Sequence, residues 1–321
     1  MTRRLTFDLD LAQARAVLRH VGLACEPQTV TRLPGGNVEV YRLDMADGAD
    51  PLVLKIYDDV QVWAPAKEQV VGALIREHTD VPAPEYLALD ETRAVLPYCF
   101  AVMTLLPGSS LRHWFEAPDV DDAYRQVGDM IRRLHRTPMP AFGYLRAEGL
   151  DDPMPTNALS MAGRARRTFE RFRDKGGDPQ LAEALERLVA ANAWIFDHSR
   201  GPVLCHEDLH PGNILAERGE DGALRLTGLI DFVNARAADP VSDLAKALFC
   251  SAHEHARSRA PILEGYGPID HPDPERALWV YTLLNRASMW AWLTSWGRPA
   301  DDPQGPGGLL ADLRAMVADP I

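Results

Sequence analysis

Polar residues between positions 204 and 245 have types and spacing that suit phosphoryl transfer. Asp208 is followed five positions later by Asn213, and Asp231 ends a second apolar run downstream. Phosphoryl transfer from a nucleotide requires a carboxylate that accepts or orients the proton of the attacking hydroxyl group. It also requires oxygen ligands that hold Mg²⁺ on the phosphates. A carboxylate, an amide and a second carboxylate in this order meet both requirements.

A lysine and two glycines nearer the start of the chain are placed to contact the phosphates. Lys55 lies centrally in the apolar run at residues 52–57, which predicts a strand. Glu68, in the helix predicted next, is correctly placed to pair with this cation. Gly35 and Gly36 predict a turn one hairpin earlier, which would lie over the phosphates. The order of these features matches the kinase fold, whose catalytic loop has the sequence H-x-D-x-x-x-x-N.

The elements that must position these residues fall into two parts. In the first hundred residues, apolar runs separated by Gly and Pro turns predict strands, with one helix at about residues 65–78. After residues 106–109, apolar side chains recur mainly at helical spacing. The sequence therefore predicts an α+β protein with a strand-rich N-lobe and a mainly helical C-lobe. Residues 1–104 would form the nucleotide-binding N-lobe, and residues 105–321 would contain the catalytic loop and the substrate-binding helices.

The composition is that of an ordinary globular protein with an acidic balance. The 321 residues include 46 Asp and Glu against 34 Lys and Arg, a formal net charge of −12. Nucleic-acid-binding proteins need a basic surface, so this balance argues against nucleic acid as a partner. No apolar run approaches the ~20 residues of a membrane helix, and no signal peptide is visible. We therefore expect a cytoplasmic protein without a membrane partner, and no feature indicates a protein partner.

Two segments resemble the aminoglycoside phosphotransferase and choline-kinase-like family. They are CHEDLHPGNILAE and LTGLIDFVNARAADPVSDLAKAL. The family typically has H-G-D-L-H-P-G-N, then I-D-W or I-D-F, and then D-P followed by D-L-A. Weaker similarities run through most of the chain apart from its C-terminal part. The resemblance implies a two-lobed protein-kinase-like fold that transfers the γ-phosphate of a nucleotide to a hydroxyl group of a small molecule.

The resemblance also implies a role for each matching residue. Asp208 is implied to be the catalytic base, and Asn213 and Asp231 are implied to bind Mg²⁺. Lys55 is implied to contact the α- and β-phosphates, with Glu68 as its partner. The other implied positions are the loop supports His206 and Asp243, the phosphate-loop glycines Gly35 and Gly36, and the adenine-facing hinge residues Met103, Thr104 and Leu106.

The cofactors and the acceptor follow from the same resemblance. It implies ATP, with GTP as the alternative donor, together with Mg²⁺. The expected acceptor is an aminoglycoside or a similar antibiotic, which would make the protein an antibiotic-resistance enzyme. The alternative is a small metabolite, such as a choline-like amine, homoserine or a sugar. The acidic balance of the chain favours a cationic acceptor.

Three features depart from the family pattern, and one of them is the short Gly-rich segment, in which Asn37 directly follows the two glycines. Glu207 stands where the family usually has Gly. An acid that faced the site would raise the pKa of Asp208 by like-charge repulsion, so we expect Glu207 to point away. The usual family residue implies that Glu207→Gly would keep activity within about tenfold. Val233 replaces the Gly of D-F-G, so no conformational switch is expected there.

The zinc-peptidase pattern H-E-x-x-H is also present, through His206, Glu207 and His210. In such enzymes two His residues one helical turn apart bind Zn²⁺, and the Glu is the base. That arrangement requires a helix through the motif. Pro202 precedes the motif and Pro211 follows it at once, so a helix of useful length is not predicted. A zinc metallopeptidase is therefore retained only as an alternative.

Many aromatic residues lie in the helix predicted at residues 277–296, and they could form a cation–π box for a quaternary amine. Packing inside a helical lobe is the other interpretation, which we favour. Trp290 and Trp292 cannot share one helix face, so at most some of these side chains would line a pocket.

Overall fold

The computed structural model describes residues 5–34, 38–46, 48–303 and 305–321. These residues form two compact units. The first unit comprises Met1–Trp114, Arg146–Gly149 and Gly212–Val233, and the second comprises Phe115–Leu145, Leu150–Pro211 and Asn234–Ile321. Each unit is therefore built from separate stretches of the chain. The lobe boundary between residues 104 and 105 stays a prediction.

Strands and helices alternate in a mixed order along the chain. The strands are β1 Pro27–Leu33, β2 Glu39–Met45, β3 Leu52–Tyr57, β4 Tyr86–Asp90, β5 Cys99–Thr104, β6 Ser109–Ser110, β7 Phe142–Arg146, β8 Gly149–Met154, β9 Val203–Cys205, β10 Ile214–Arg218, β11 Leu224–Leu229 and β12 Arg236–Ala238. The helices are α1 Leu11–His20, α2 Ala64–His78, α3 Val120–Leu134, α4 Asn157–Asp174, α5 Pro179–Ala191, α6 Pro240–Glu254, α7 Arg259–Tyr266, α8 Pro274–Ser295 and α9 Pro306–Ala318. Among the described residues, no helix has the length and hydropathy needed to span a membrane.

Antiparallel strands form the main sheet of the first unit, in the order β1-β2-β3-β5-β4. All six residues of the central strand β3 are buried, because helices cover both faces of the sheet. Ile56 packs in one core cluster with Val17 of α1, and Tyr57 packs in another with Ala64 of α2. Side chains alternate along a strand, so Lys55 lies on the α2 face with Tyr57.

The hairpin of β10 and β11 forms a second sheet of the first unit, in the order β11-β10-β6. The close pairing of β6 with β10 depends on Gly108, which directly precedes β6 and has a φ of +90°. A Cβ atom at this position would lie 2.4 Å from the carbonyl oxygen of Ala216. Only glycine allows the two backbones to approach this closely with that dihedral angle.

Helices dominate the second unit, with one small sheet in the order β8-β7-β12-β9. The buried Asp239 caps α6 by accepting a hydrogen bond from the backbone N–H of Val241 at 2.8 Å. The same side chain accepts hydrogen bonds from Tyr281 of α8 at 2.9 Å and from Asn157 of α4 at 3.1 Å. One carboxylate therefore joins the starts of α4 and α6 to α8.

The aromatic residues of α8 divide between core and surface. Tyr281 and Trp290 are buried, and the Trp290 ring lies 4.3 Å from that of Phe172 in α4. Trp292 and Trp296 are 46% and 45% exposed, and their ring centroids lie 5.7 Å apart. The packing interpretation therefore applies to the first two residues but not to the exposed pair.

Candidate active site

Lys55 of β3 is the buried centre of an ionic cluster in the first unit, which we call the lysine cluster. Its ammonium group donates to both carboxylate oxygens of Glu68 in α2, each at 2.9 Å, and lies 3.3 Å from Oδ1 of Asp231. The hydroxyl group of Tyr57 also donates to Glu68, at 2.9 Å. The structure thus brings together three of the predicted site residues.

The acidic partners keep the lysine charged. Burial alone would lower the pKa of Lys55, but the charges of Asp231 and Glu68 outweigh burial and raise this pKa above its usual value. Burial and the charge of Glu68 raise the pKa of Tyr57 well above its usual value, so its hydroxyl group stays a donor. A permanent cation held in one place suits the binding of phosphate oxygens.

The β10–β11 hairpin brings the two predicted magnesium ligands to one end of the first unit's second sheet. Asn213 directly precedes β10 and Asp231 follows β11 by two residues, while Ile214 pairs with Leu229 across the hairpin. The backbone N–H of Ile230 donates to the carbonyl oxygen of Asn213 at 3.0 Å. Carboxylate and amide oxygens are ligands that Mg²⁺ prefers. These side chains therefore fit the ion that the resemblance implies.

Lys67, the residue before Glu68, was not predicted as part of the site. It is fully buried, and its ammonium group donates to the carbonyl oxygen of Val233 at 2.7 Å. Helix α2 therefore holds the segment after Asp231 as well as Lys55. The contact helps to fix the position where the family has the Gly of D-F-G. A lysine in a helix gives no sign in the sequence that it faces inward.

The other site residues predicted in the first unit are the hinge residues and the phosphate-loop glycines. Met103 and Thr104 end β5, where Met103 pairs with Val53 of β3. The hydroxyl group of Thr104 accepts a hydrogen bond from the backbone N–H of Glu85 at 2.9 Å. A Cβ atom added at Gly228 would lie 2.6 Å from the side chain of Leu106. The predicted phosphate-loop glycines, Gly35 and Gly36, lie outside the described residues.

Asp243 of α6 holds the backbone of the loop that follows β9 in the second unit. Its carboxylate accepts hydrogen bonds from the backbone N–H groups of His206 at 2.9 Å and Glu207 at 2.7 Å. His135 of α3 lies 3.0 Å from the same carboxylate, and both of these side chains are buried. The contacts are those of a support for the loop. No role for His135 was predicted from the sequence.

Asp208 follows this anchored backbone directly. Its backbone N–H donates to Nδ1 of His206 at 3.3 Å, and its Oδ2 accepts a hydrogen bond from the amide of Asn234 at 3.0 Å. The side chain is partly buried. Sequence reasoning missed Asn234, because Asn is common in turns such as the one that precedes β12. Its contact limits how the Asp208 carboxylate can rotate.

The Glu207 side chain lies in a buried polar cluster, which we call the arginine cluster. Its carboxylate forms a two-point contact with the guanidinium group of Arg164 in α4, at 3.2 and 3.1 Å. Ser242 donates to it at 3.2 Å, and Arg236 lies 3.8 Å away. The amide oxygen of Asn285 in α8 accepts from Arg164 at 3.0 Å. Glu207 and Asp208 therefore have different partners.

Charge in the arginine cluster should make stability depend on pH. Burial would raise the pKa of Glu207, but Arg164 and Arg236 lower it from 4.5 to about 2. Because the folded pKa is the lower one, the stabilisation is present above pH about 4.5 and is lost as the pH falls toward about 2. We expect the difference in melting temperature between wild type and Glu207→Gln to be constant from pH about 7 to about 5 and to shrink below. Thermal melting followed by circular dichroism measures the two melting temperatures. A difference at pH about 3 that is as large as at pH about 7 would contradict the prediction.

The zinc-peptidase pattern does not form the helix that its chemistry requires. Residues 206–210 are not helical, and only a single 3₁₀ turn follows at Pro211–Asn213. The carboxylate of Glu207, which would be the base, is bound to Arg164. The pattern is therefore an accidental match.

Another group of possible metal ligands occurs in the second unit. Ligand atoms of His135, Cys205 and Asp243 all lie within 4.8 Å of one another. Burial raises the pKa of the Cys205 thiol well above its usual value. The Asp243 carboxylate already accepts two backbone hydrogen bonds. These contacts are those of a support for the loop.

The chain is similar to known families and proteins. Residues 29–279 match the model of a family described as the phosphotransferase enzyme family. The chain is 33% identical over 169 residues to streptomycin 3''-kinase of Streptomyces griseus. That similarity covers 50% of this chain and 58% of the relative, so the chain spans little more than half of the relative's length.

Solved structures extend the similarity to nearly the whole chain. A thermostable mutant of aminoglycoside phosphotransferase APH(4)-Ia, in a ternary complex with AMP-PNP and hygromycin B, has a TM-score of 0.69 and 16% identity, covering 95% of this chain and 98% of that one. The GDP and kanamycin complex of APH(2")-IIia has a TM-score of 0.67 and 17% identity, covering 97% and 100%. The predicted α+β, protein-kinase-like fold is thereby confirmed.

Proposed function

The chain belongs to the phosphotransferase enzyme family, and on that premise we propose that it is a small-molecule kinase. The proposed reaction moves the γ-phosphate of a nucleoside triphosphate to a hydroxyl group. The observation that supports it most is the lysine cluster, in which Lys55 is held between Glu68 and Asp231. A buried cation beside a carboxylate that can bind a metal ion is the arrangement that nucleotide phosphates require.

Each residue has a defined part in the proposed reaction. The oxygen of the acceptor hydroxyl group attacks the γ-phosphorus, and Asp208 accepts the proton of that hydroxyl group. The bond between that phosphorus and the oxygen bridging to the β-phosphate breaks, and the nucleoside diphosphate leaves with the electron pair. Lys55 binds the phosphates that are not transferred, and Asn213 and Asp231 would hold Mg²⁺. When bound, the ion would supply positive charge that offsets the charge of the phosphates.

ATP is the proposed donor, with GTP as the alternative, since the related structures are complexes of AMP-PNP in one case and GDP in the other. The proposed acceptor is an aminoglycoside or a similar antibiotic, and activity on it would confer resistance. Support comes from the name of the streptomycin kinase and from the kanamycin and hygromycin B complexes. A choline-like amine, homoserine or a sugar is the alternative acceptor. The proposed reaction takes place in the cytoplasm and involves no nucleic acid, membrane or protein partner.

The test is a nucleotide-consumption assay with the purified protein. ATP or GTP with excess Mg²⁺ is supplied together with single acceptors from a panel of aminoglycosides, other antibiotics, amino alcohols and sugars. We expect one acceptor class to stimulate consumption and to gain a phosphoryl group, as detected by mass spectrometry. Absence of both nucleotide binding and turnover with every acceptor would contradict the proposal.

A zinc measurement separates the proposed function from the peptidase alternative. We expect the purified protein to contain no stoichiometric zinc, because the H-E-x-x-H residues do not form a zinc-binding helix. A Zn²⁺-selective chelator should leave nucleotide turnover unchanged while Mg²⁺ remains in excess. Stoichiometric zinc whose removal abolishes turnover would favour a zinc enzyme.

A further inference from the structure

Glu207 combines a strained backbone with a buried charge. Its φ of +60° lies in the left-handed region, which favours glycine and costs other residues about 1 kcal/mol or more. The side chain is 4% exposed and is held within the arginine cluster. The polar contacts of this side chain must therefore offset its unfavourable backbone.

Arg164 links the Glu207 carboxylate to two helices. Its Nη1 contacts Oε1 of Glu207 at 3.2 Å and the hydroxyl group of Ser242 at 3.1 Å. Its Nη2 contacts Oε2 of Glu207 at 3.1 Å and the amide oxygen of Asn285 at 3.0 Å. Both ends of the guanidinium group are thus occupied. Through this one side chain the loop is tied to α4, α6 and α8.

The two ends of Glu207 are fixed by different groups. Its backbone N–H donates to Asp243 at 2.7 Å, and its side chain is held by Arg164. The next residue is Asp208, whose carboxylate is itself limited by Asn234. We propose that Glu207 and Arg164 form a positioning pair that sets the backbone of the loop and so aims the Asp208 carboxylate at the acceptor hydroxyl group. This role rests on the proposed function.

The positioning pair changes the expectation for glycine at this position. Glu207→Gly would relieve the left-handed backbone, but it would leave Arg164 partly buried near Arg236 without its carboxylate. Removing one partner of a buried ion pair strongly destabilises the folded protein, because it leaves the other charge buried without compensation. The residue usual in the family is therefore expected to be poorly tolerated here while Arg164 is present.

The test is a double-mutant cycle of Glu207→Gln and Arg164→Met, with each variant checked by thermal melting before kinetics well below its melting temperature. Glu207→Gln keeps the shape of the side chain, so the ion pair is what changes. We expect kcat to fall about tenfold or more in each single variant, with KM for the nucleotide within about twofold. The double variant should lose less than the product of the single losses.

A matched control exists on the same helix. Arg173 of α4 forms an ion pair with Glu186 of α5 but makes no contact with the loop. Glu186→Gln should therefore leave kcat unchanged. If Glu207→Gln does not fold, Arg164→Lys tests the same pair, because Lys keeps the charge but lacks the two-point geometry.

The results separate this inference from the proposed function. Turnover can be measured with the acceptor found in the panel, or with water as the acceptor in nucleotide hydrolysis. A folded Glu207→Gln protein with wild-type kcat overturns the positioning role and leaves the proposed function intact. The positioning role is also overturned if the loss of kcat in the double variant equals the product of the losses in the two single variants. A wild-type protein that neither binds nor turns over nucleotide overturns both proposals.

Discussion

Asp208→Asn is expected to lower turnover by at least ~100-fold, which is the scale of a lost general base. An amide cannot accept the proton of the acceptor hydroxyl group. It keeps the size of the carboxylate, and its oxygen can still accept the hydrogen bond from Asn234. Folding and nucleotide binding should therefore persist. Steady-state kinetics and calorimetric titration with nucleotide measure the two effects separately.

Asp197→Asn is the matched control for this variant, because Asp197 is an exposed acid of the second unit. It removes the same charge and should leave kcat unchanged. Near-normal turnover in Asp208→Asn would show that another group is the base. Loss of nucleotide binding together with turnover would instead indicate a structural role for Asp208.

The family and the main fold could be predicted because their signals are local. The apolar run of β3 and the helical spacing of α2 are visible in the sequence, and the structure places both elements within one residue of prediction. Their order then made Glu68 the expected partner of Lys55, and the two groups lie 2.9 Å apart. The match to the phosphotransferase family confirms the resemblance. The roles of the individual site residues stay predictions until variants are measured.

Contacts between distant parts of the chain could not be predicted in this way. Arg164 lies 43 residues before Glu207 and is one of the arginines of α4, whose sequence is NALSMAGRARRTFERFRD. Nothing in helical spacing distinguishes it from its neighbours. Which arginine is buried depends on how α4 packs against α8, and that packing is a property of the folded unit. The same reason applies to Lys67 and Asn234.

The contacts of Glu207 come from residues that are distant in the sequence, so they could not be seen from its neighbours. From the sequence, the Glu207 side chain is expected to point away from Asp208, because its charge would otherwise raise the pKa of that carboxyl group. The structure gives the carboxylate its own partners, Arg164 and Ser242. The comparison with the usual Gly predicted little loss of activity on substitution, because Glu207 was expected to lie beside the catalytic residues and not to act with them. The contact with the partly buried Arg164 gives the substitution a cost in stability that the sequence did not show.

Asp231→Asn is expected to lower turnover at about 1 mM Mg²⁺ by at least ~100-fold and to raise the Mg²⁺ concentration for half-maximal activity by about tenfold. Mg²⁺ binds a neutral amide less strongly than a carboxylate. The backbone should tolerate the change, because φ is +66° and Asn accepts the left-handed region better than most residues. Lys55 would keep both contacts with Glu68, so the sheet should remain intact. Kinetic titration with Mg²⁺ at saturating nucleotide measures the shift.

Asp221→Asn provides the control from the same hairpin. Asp221 lies in the turn between β10 and β11, where it forms an exposed ion pair with Arg225 at 2.5 Å. Exposed pairs of this kind contribute about 0–1 kcal/mol, so the fold and the Mg²⁺ titration should be unaffected. If Asp231→Asn gave the same titration curve as Asp221→Asn, Asp231 would not be a metal ligand. Its contact with Lys55 would then be its main role, and only the KM for nucleotide should change.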